Sequence, residues 1–388
     1  MLRPEAYPVS IAPFFATTAN WHRCAVHTEC TLHQLSPYIG KIKSSIASTL
    51  IERYSSTGDT IYDPFCGSGT VALEAWLHGR STIANDLSPY GSVITRAKLF
   101  PPKSESVALR SLDKIEQEVS GKLQRINLRK VDREVRRFFH PETLREVMAW
   151  TQVLIKRREW FLLTSLLGIL HHQRPGFLSF PSSHTVPYLR SRNFPQGRFP
   201  DLYAYRSVRE RLEKKIRRAF RRIPELDRSL YRGCFSMNAS MFQPSRPVSS
   251  IITSPPYMRQ LDYGRDNRLR LWFLGVNDWR SLDDQVSPAE RSFLELMRSC
   301  LHTWHRLLRA GAPCVLVLGS SHSRIYDMSL ADAIRTIAVD EVGGFGCEGN
   351  YSDTIPTTRR VRRSCRGVLA ETILVLRKVT KGSKPKKP

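Results

Sequence analysis

Two consecutive prolines interrupt an apolar segment at residues 251–257, which reads IITSPPY. Proline fixes φ and has no N–H, so the pair ends strand pairing and stiffens the chain. The turn presents a hydroxyl at Ser254, a carbonyl at Pro255 and an aromatic ring at Tyr257. These groups could hold a planar ligand, although an ordinary surface loop could have the same composition.

A second candidate site is the turn DPFCGSGT at residues 63–70. An acid closes a predicted strand, and two glycines let the backbone turn tightly and approach a ligand before the next helix. Asp86 ends the following strand, 17 residues after Gly69. Nucleoside-binding β-α-β units carry an acid near this position, where it accepts hydrogen bonds from the ribose. An ordinary β-α turn remains the alternative.

The glycine turn lacks the features of phosphate-binding loops. No Walker lysine follows it, and it does not have the full G-x-G-x-x-G pattern, which disfavours a nucleoside triphosphate and a dinucleotide. A nucleoside with a cationic substituent would suit the acid at Asp63. S-adenosylmethionine has that character.

The elements that position these residues alternate between strands and helices. Thr60–Tyr62, Val71–Leu77 and Thr82–Ala84 are predicted to form a strand, a helix and a strand. A helix is predicted over residues 36–54, where apolar residues recur at a spacing of four. Further predicted elements are strands at 249–253, 312–320 and 371–378, and helices at 293–311 and 329–344.

The middle of the chain has a different composition. It contains charged helical segments, an apolar helix at 160–172 that is too short to span a bilayer, and a basic helix at 206–222. We therefore expect a catalytic domain made of residues 1–100 and 233–378, a helical and basic insertion at 101–232, and a disordered basic tail at 379–388.

The motifs DPFCGSGT, NDLSPYG and TSPPY together resemble the S-adenosylmethionine-dependent amino-methyltransferases of DNA. The resemblance covers the two α/β segments and not the insertion. It implies a Rossmann-like class I methyltransferase sheet with helices on both faces, interrupted by the helical insertion, and S-adenosylmethionine as cofactor. The cofactor-binding residues that it implies are Asp63, Phe65, Cys66, Gly67, Gly69, Thr70, Asp86 and Leu87. Residues 35–45 resemble the family's upstream cofactor motif.

The resemblance also implies that Ser254, Pro255, Pro256 and Tyr257 are the catalytic residues. An exocyclic base amine is a poor nucleophile because its lone pair is delocalised into the ring. The Ser254 hydroxyl oxygen and the Pro255 carbonyl would accept its hydrogens and aim the nitrogen at the methyl carbon. Tyr257 would stack on the base, which contributes roughly 1–3 kcal/mol. A base in duplex DNA must be flipped out to reach such a pocket.

Two features leave alternatives open. In the family that the chain resembles, the strand before the one that leads into TSPPY usually ends in a Gly-Asp pair whose acid contacts adenine. Here Gly233 is followed by Cys234, and Ser236 or Asn238 could replace the acid. Cytosine carbon-5 methylation would need a Pro-Cys nucleophile, but Cys314 opens an apolar strand, which favours a buried thiol. The missing acid would also fit a nucleic-acid-binding protein on an inactive methyltransferase fold.

A serine at the start of the tetrapeptide resembles the members that methylate the amino nitrogen, N4, of cytosine. We therefore expect a cytosine-N4 DNA methyltransferase, paired in function with a restriction endonuclease in a prokaryotic cytoplasm. Adenine-N6 methylation of DNA and amino-methylation of RNA are the alternatives.

The net charge of +25 and the pI of about 10.1 indicate a polyanionic partner. Duplex DNA is the expected partner, RNA is the alternative, and no membrane span is expected. Candidate phosphate contacts are the basic segments 190–198, 206–222 and 357–366. The eight cysteines form no C-x-x-C pair, and His171, His172 and His184 have no cysteine or acid at ligand spacing, so no metal site is expected.

Overall fold

The computed structural model describes residues 9–10, 28–172, 176–180, 194–256, 263–354 and 370–379. The strands are β1 (Val9–Ser10), β2 (Thr60–Asp63), β3 (Ser81–Asn85), β4 (Arg232–Phe235), β5 (Ser250–Thr253), β6 (Pro313–Gly319), β7 (His322–Ser323), β8 (Met328–Ser329), β9 (Phe345–Thr354) and β10 (Ala370–Lys378). The α-helices are α1 (Ser44–Tyr54), α2 (Thr70–Leu77), α3 (Pro89–Leu99), α4 (Glu105–Leu123), α5 (Arg133–Arg136), α6 (Pro141–Arg157), α7 (Trp160–Leu170), α8 (Val208–Ala219), α9 (Tyr263–Phe273), α10 (Trp279–Val286), α11 (Glu290–Leu307) and α12 (Leu330–Thr336).

One mostly parallel sheet organises the α/β segments. Its strand order is β1-β9-β10-β6-β5-β2-β3-β4, and β10 runs antiparallel to both β6 and β9. Within the five parallel strands β6-β5-β2-β3-β4, β2 is the middle one, with β3 and then β4 on one side and β5 and then β6 on the other. The strand order therefore reverses between β2 and β5, and open α/β sheets bind ligands at the carboxyl ends of the strands at such a point.

Alternating side chains bury both faces of the sheet. Ile252 and Val315 pack in one cluster with residues of α1 and α2, whereas Ile251 and Leu316 pack in another with residues of α11 and α12. This alternation follows from the two-residue period of a strand. The helices on both faces match the predicted Rossmann-like α/β sheet.

The helices between residues 105 and 219 do not pack as a separate body. Buried apolar residues of α4, α6, α7 and α8 belong to one cluster with residues of α2 and α3. The Thr164 hydroxyl of α7 donates to the Val93 carbonyl of α3 at 3.1 Å. Every residue of α7 after Trp160 is buried, as its apolar sequence predicts. In the part of the chain that the structure describes, no helix is long and apolar enough to cross a membrane.

Some element boundaries differ from the prediction. The predicted helix over 36–54 begins only at Ser44, because Pro37 and the positive φ of Gly40 (76°) keep the preceding residues out of the helix. The predicted helix over 293–311 spans Glu290–Leu307, and α12 continues as a π-helix over Ile337–Val342. The central β-α-β unit is confirmed.

Candidate active site

The carboxyl ends of four parallel strands meet at one edge of the sheet, with Asp63, Asn85, Phe235 and Thr253 as their last residues. A cavity of about 310 Å³ opens there. Nine of the predicted site residues line it, namely Asp63, Phe65, Cys66, Gly67, Thr70, Asp86, Leu87, Ser254 and Pro256. Gly69 and Pro255 adjoin the cavity without lining it, and Tyr257 lies outside the described residues.

The glycine turn packs closely against the side chains of Thr95 and Tyr38, which leave little room for a side chain on either glycine. Gly69 has φ 70° and caps α2, and a Cβ at this position would lie 2.6 Å from the Thr95 hydroxyl oxygen. Gly67 has φ 49°, and a Cβ there would lie 3.2 Å from the Tyr38 ring. Glycine adopts both conformations without strain, and of the two residues Gly67 lines the cavity.

Asp86 is held by backbone N–H groups at the cavity wall. Its carboxylate accepts from the Gly67 N–H at 2.7 Å and from the Ser88 N–H at 2.8 Å. Burial raises the pKa of Asp86 to about 6, although these two bonds oppose the shift. Each carboxylate oxygen has a second lone pair that can accept from a ligand hydroxyl.

Thr253 connects the two motifs. Its hydroxyl donates to the Asp63 carboxylate at 2.6 Å and accepts from the Phe65 N–H at 3.3 Å. Burial raises the pKa of Asp63 to about 7, and the Thr253 hydroxyl opposes that rise. A cation in the cavity would favour the ionised carboxylate.

The Ser254 hydroxyl donates to the Val317 carbonyl of β6 at 3.1 Å. A hydroxyl has one hydrogen and two lone pairs. With its hydrogen directed at Val317, the Ser254 oxygen can only accept from a ligand. The β6 backbone thereby sets the hydrogen-bonding role of the serine.

Sequence reasoning missed the role of Asn85. Its side-chain amide donates to the Met237 carbonyl at 2.9 Å and to the Pro64 carbonyl at 3.3 Å, and its amide oxygen accepts from the Met237 N–H at 3.0 Å. Asn85 is fully buried. It therefore fixes the loops after β2 and β4 to each other at the wall of the cavity, which Asn85 also lines.

Three further segments and Tyr263 of α9 complete the cavity. Tyr38, Lys41 and Ile42 come from the predicted upstream motif. Met237 and Asn238 follow β4 and line the cavity, whereas Cys234, at the position of the expected acid, and Ser236 are not among the described lining residues. The third segment runs from α10 to α11 and includes Asp284 and Gln285. Its sequence gave no signal, because acids and amides are common on exposed helices.

The remaining described candidate residues are buried or contact other side chains of the protein. Cys314 is fully buried in β6, and burial raises its pKa well above the ordinary value, which argues against a nucleophile. His171 hydrogen-bonds Ser179 at 3.0 Å, and His172 stacks on Phe177, whereas His184 lies outside the described residues. No group of three or more potential metal ligands occurs among the described residues.

Part of the chain is similar in sequence to methyltransferases. A family model for UPF0020, an RMKL-like methyltransferase domain, matches residues 35–140, which include the glycine turn and Asp86. This match begins at the upstream segment that lines the cavity and ends within the helices that follow α3.

Two curated relatives are type II methyltransferases. Type II methyltransferase M.BsoBI of Geobacillus stearothermophilus is 25% identical over 285 residues, which cover 64% of this chain and 53% of that protein. Type II methyltransferase M.MjaII of Methanocaldococcus jannaschii is 35% identical over 68 residues, which cover 18% of this chain and 13% of that protein. The structure of TrmN from Thermus thermophilus aligns with a TM-score of 0.32 and 13% identity, covering 90% of this chain and 52% of that one. The chain thus spans about half the length of the first relative and a much smaller part of the second.

Proposed function

We propose that the chain is an S-adenosylmethionine-dependent methyltransferase that modifies an exocyclic amine of a nucleic-acid base, with cytosine N4 in duplex DNA as the favoured target. One observation carries the proposal: the glycine turn and the Ser-Pro-Pro segment line the same cavity, although they lie about 190 residues apart in the chain. The cavity volume falls at the low end of the range for small-molecule sites, about 300–1,000 Å³.

The residues present suit the cofactor. The Asp63 carboxyl is buried, which raises its pKa, and a cationic group beside it would stabilise its ionised form. Asp86 would accept from the ribose hydroxyls, and the backbone at Gly67 would lie against the ligand. When bound, S-adenosylmethionine supplies a methyl group on a sulfonium sulfur. Asn238 is the proposed replacement for the acid that contacts adenine.

The catalytic role of the chain is to position the amine. The Ser254 hydroxyl donates its own hydrogen to the Val317 carbonyl. Its oxygen would accept one amine hydrogen, and the Pro255 carbonyl would accept the other. Together they would favour the positive charge that develops on nitrogen. Tyr257 is the proposed stacking face for the base, which must leave the duplex to enter the cavity.

Protection of host DNA from a partner endonuclease is the proposed biological role. It is supported by the motif resemblance and by the similarity to two type II methyltransferases. The helical insertion at 101–232 is the proposed region for target recognition, because it is basic and interrupts the catalytic sequence.

Radiolabel transfer from S-adenosylmethionine tests the proposal. Label should enter duplex DNA, and Ser254→Ala should lower the transfer rate by about 10²-fold or more. Ser236→Ala is the matched control, because Ser236 follows β4 near the same sheet edge without lining the cavity. Label in transfer RNA but not in duplex DNA would assign an RNA substrate. Full activity in Ser254→Ala would contradict the mechanism.

Asn238 can be tested against the same control. Asn238→Ala should weaken S-adenosylmethionine binding by roughly tenfold, the effect of about one lost hydrogen bond. Ser236→Ala should leave the dissociation constant unchanged, as measured by calorimetry. An equal effect of both substitutions would exclude a specific adenine contact at Asn238.

A further inference from the structure

A second cavity, of about 290 Å³, adjoins the candidate active site. It lies between the loop at 31–37, the carboxyl end of α7 and one face of α8. Lys41 lines both cavities. Because the two cavities share this side chain, a ligand in one is next to a ligand in the other.

The second cavity is cationic. Lys215 and Arg218 of α8 line it together with Lys41, and its described lining residues include no Asp or Glu. The Lys215 ammonium donates to the Gln34 carbonyl at 2.6 Å, and Lys41 donates to the His33 carbonyl at 3.3 Å. Burial, together with the nearby charge of Arg218, lowers the pKa of Lys215 to about 7. An anion here would relieve that repulsion.

The opposite face of α8 is neutralised within the chain. Arg209 pairs with Asp113 at 2.6 Å and with Glu116 at 3.0 Å, both on α4. Arg217 pairs with Glu105 at 2.9 Å and with Glu213 at 2.7 Å. The two faces of the basic helix therefore have different partners. One face forms ion pairs with acids of α4 and α8, whereas the other lines a cavity whose described lining residues include no acid.

We infer that the cavity formed by Lys41, Lys215 and Arg218 binds a phosphate of the nucleic-acid strand next to the target nucleotide. A phosphodiester carries one negative charge and oxygen acceptors that suit lysine and arginine donors. Anchoring the backbone beside the active site would hold the strand while one base occupies the first cavity. This inference rests on the proposed function for the identity of the strand.

The test is the salt dependence of duplex binding by the full chain, followed by fluorescence anisotropy. Each phosphate contact contributes about 0.9 to the slope of log affinity against log salt concentration. Arg218→Gln and Lys215→Gln should each lower the slope by about that amount and weaken binding roughly fivefold to tenfold near 0.1 M salt. Arg217→Gln removes the same charge from the paired face, so it should leave the slope unchanged.

Other outcomes separate the site from the activity. Slopes that stay equal to wild type in both Arg218→Gln and Lys215→Gln would overturn the phosphate site, even where methyl transfer to DNA is observed. A reduced slope without methyl transfer would support the site and reject the proposed function. Inorganic phosphate could raise the unfolding temperature of the wild type but not of Arg218→Gln. If the variants then have the same salt slope for duplex binding as the wild type, the cavity binds a free anion and the inference fails. Arg218 is exposed, so its substitution should not prevent folding.

Discussion

At the scale of single residues, the Thr253 hydroxyl links the glycine turn to the Ser-Pro-Pro segment. Removing the hydroxyl in Thr253→Val would leave the Asp63 carboxylate and the Phe65 N–H without this partner, which we expect to destabilise the fold by about 1–3 kcal/mol. The pKa of Asp63 should also rise, because the hydroxyl now opposes the effect of burial. Urea unfolding and the pH profile of methyl transfer measure the two effects.

Thr253→Ser is the matched control, because it keeps the hydroxyl and removes only a methyl group. We expect it to retain the wild-type pH profile. A profile that is the same in Thr253→Val and Thr253→Ser would show that the hydroxyl does not act on Asp63.

The buried Asp63 carboxyl makes stability depend on pH. Its pKa is raised to about 7 in the folded chain, from an ordinary value near 4 in the unfolded chain. The folded state therefore binds the proton more tightly, and its stability should fall as the pH rises from about 4 to about 7. Urea unfolding should show that the free energy of unfolding falls more between pH 5 and pH 8 in the wild type than in Asp63→Asn. Equal losses in the two proteins would contradict the raised pKa.

The lining residues that belong to the motifs were predictable, whereas the α10–α11 segment and Asn85, which also line the cavity, were not. Asp63, Gly67, Asp86 and Ser254 belong to short motifs whose residue types indicate their chemistry. Asn85 acts through hydrogen bonds to Met237, 152 positions away. No local pattern encodes such a partner, since it depends on which strands become neighbours in the sheet.

At the scale of elements, α7 approaches the loop at 31–37 closely because Gly168 has no side chain. A Cβ at Gly168 would overlap the Leu35 carbonyl oxygen. Gly168→Ala should therefore destabilise the fold by at least about 1 kcal/mol, although alanine favours helices. Urea unfolding measures the free-energy change.

Gly121 of α4 provides the control for that substitution, because a Cβ there would have no heavy atom within 4 Å. Gly121→Ala should stabilise the fold by up to about 1 kcal/mol. If both substitutions change the free energy of unfolding in the same direction, the close approach of α7 to the loop at 31–37 is contradicted.

Strands were predictable where their own residues are apolar. β5, β6 and β10 contain runs of isoleucine, valine and leucine, and their positions agree with the prediction. β9 was missed because Phe345–Thr354 reads FGCEGNYSDT, which has neither alternation nor an apolar run. It forms a strand through antiparallel pairing with β10, an interaction that its own sequence does not reveal.

At the scale of the whole molecule, the helices from 105 to 219 share their core with α2 and α3. We therefore expect the described parts of the chain to unfold together. Calorimetry should give one transition, with equal calorimetric and van't Hoff enthalpies. Two separated transitions would instead indicate that these helices form an independent unit.

The long separation between Asp63 and Thr253 has a consequence during protein synthesis. The hydrogen-bonding partner of the Asp63 carboxylate is made 190 residues later. At about 5–20 residues per second, the ribosome needs on the order of 10–40 s to reach it. Throughout that interval the nascent chain contains the glycine turn without the strand that completes its wall. The wall of the cavity is therefore complete only late in synthesis, after β5 has joined β2.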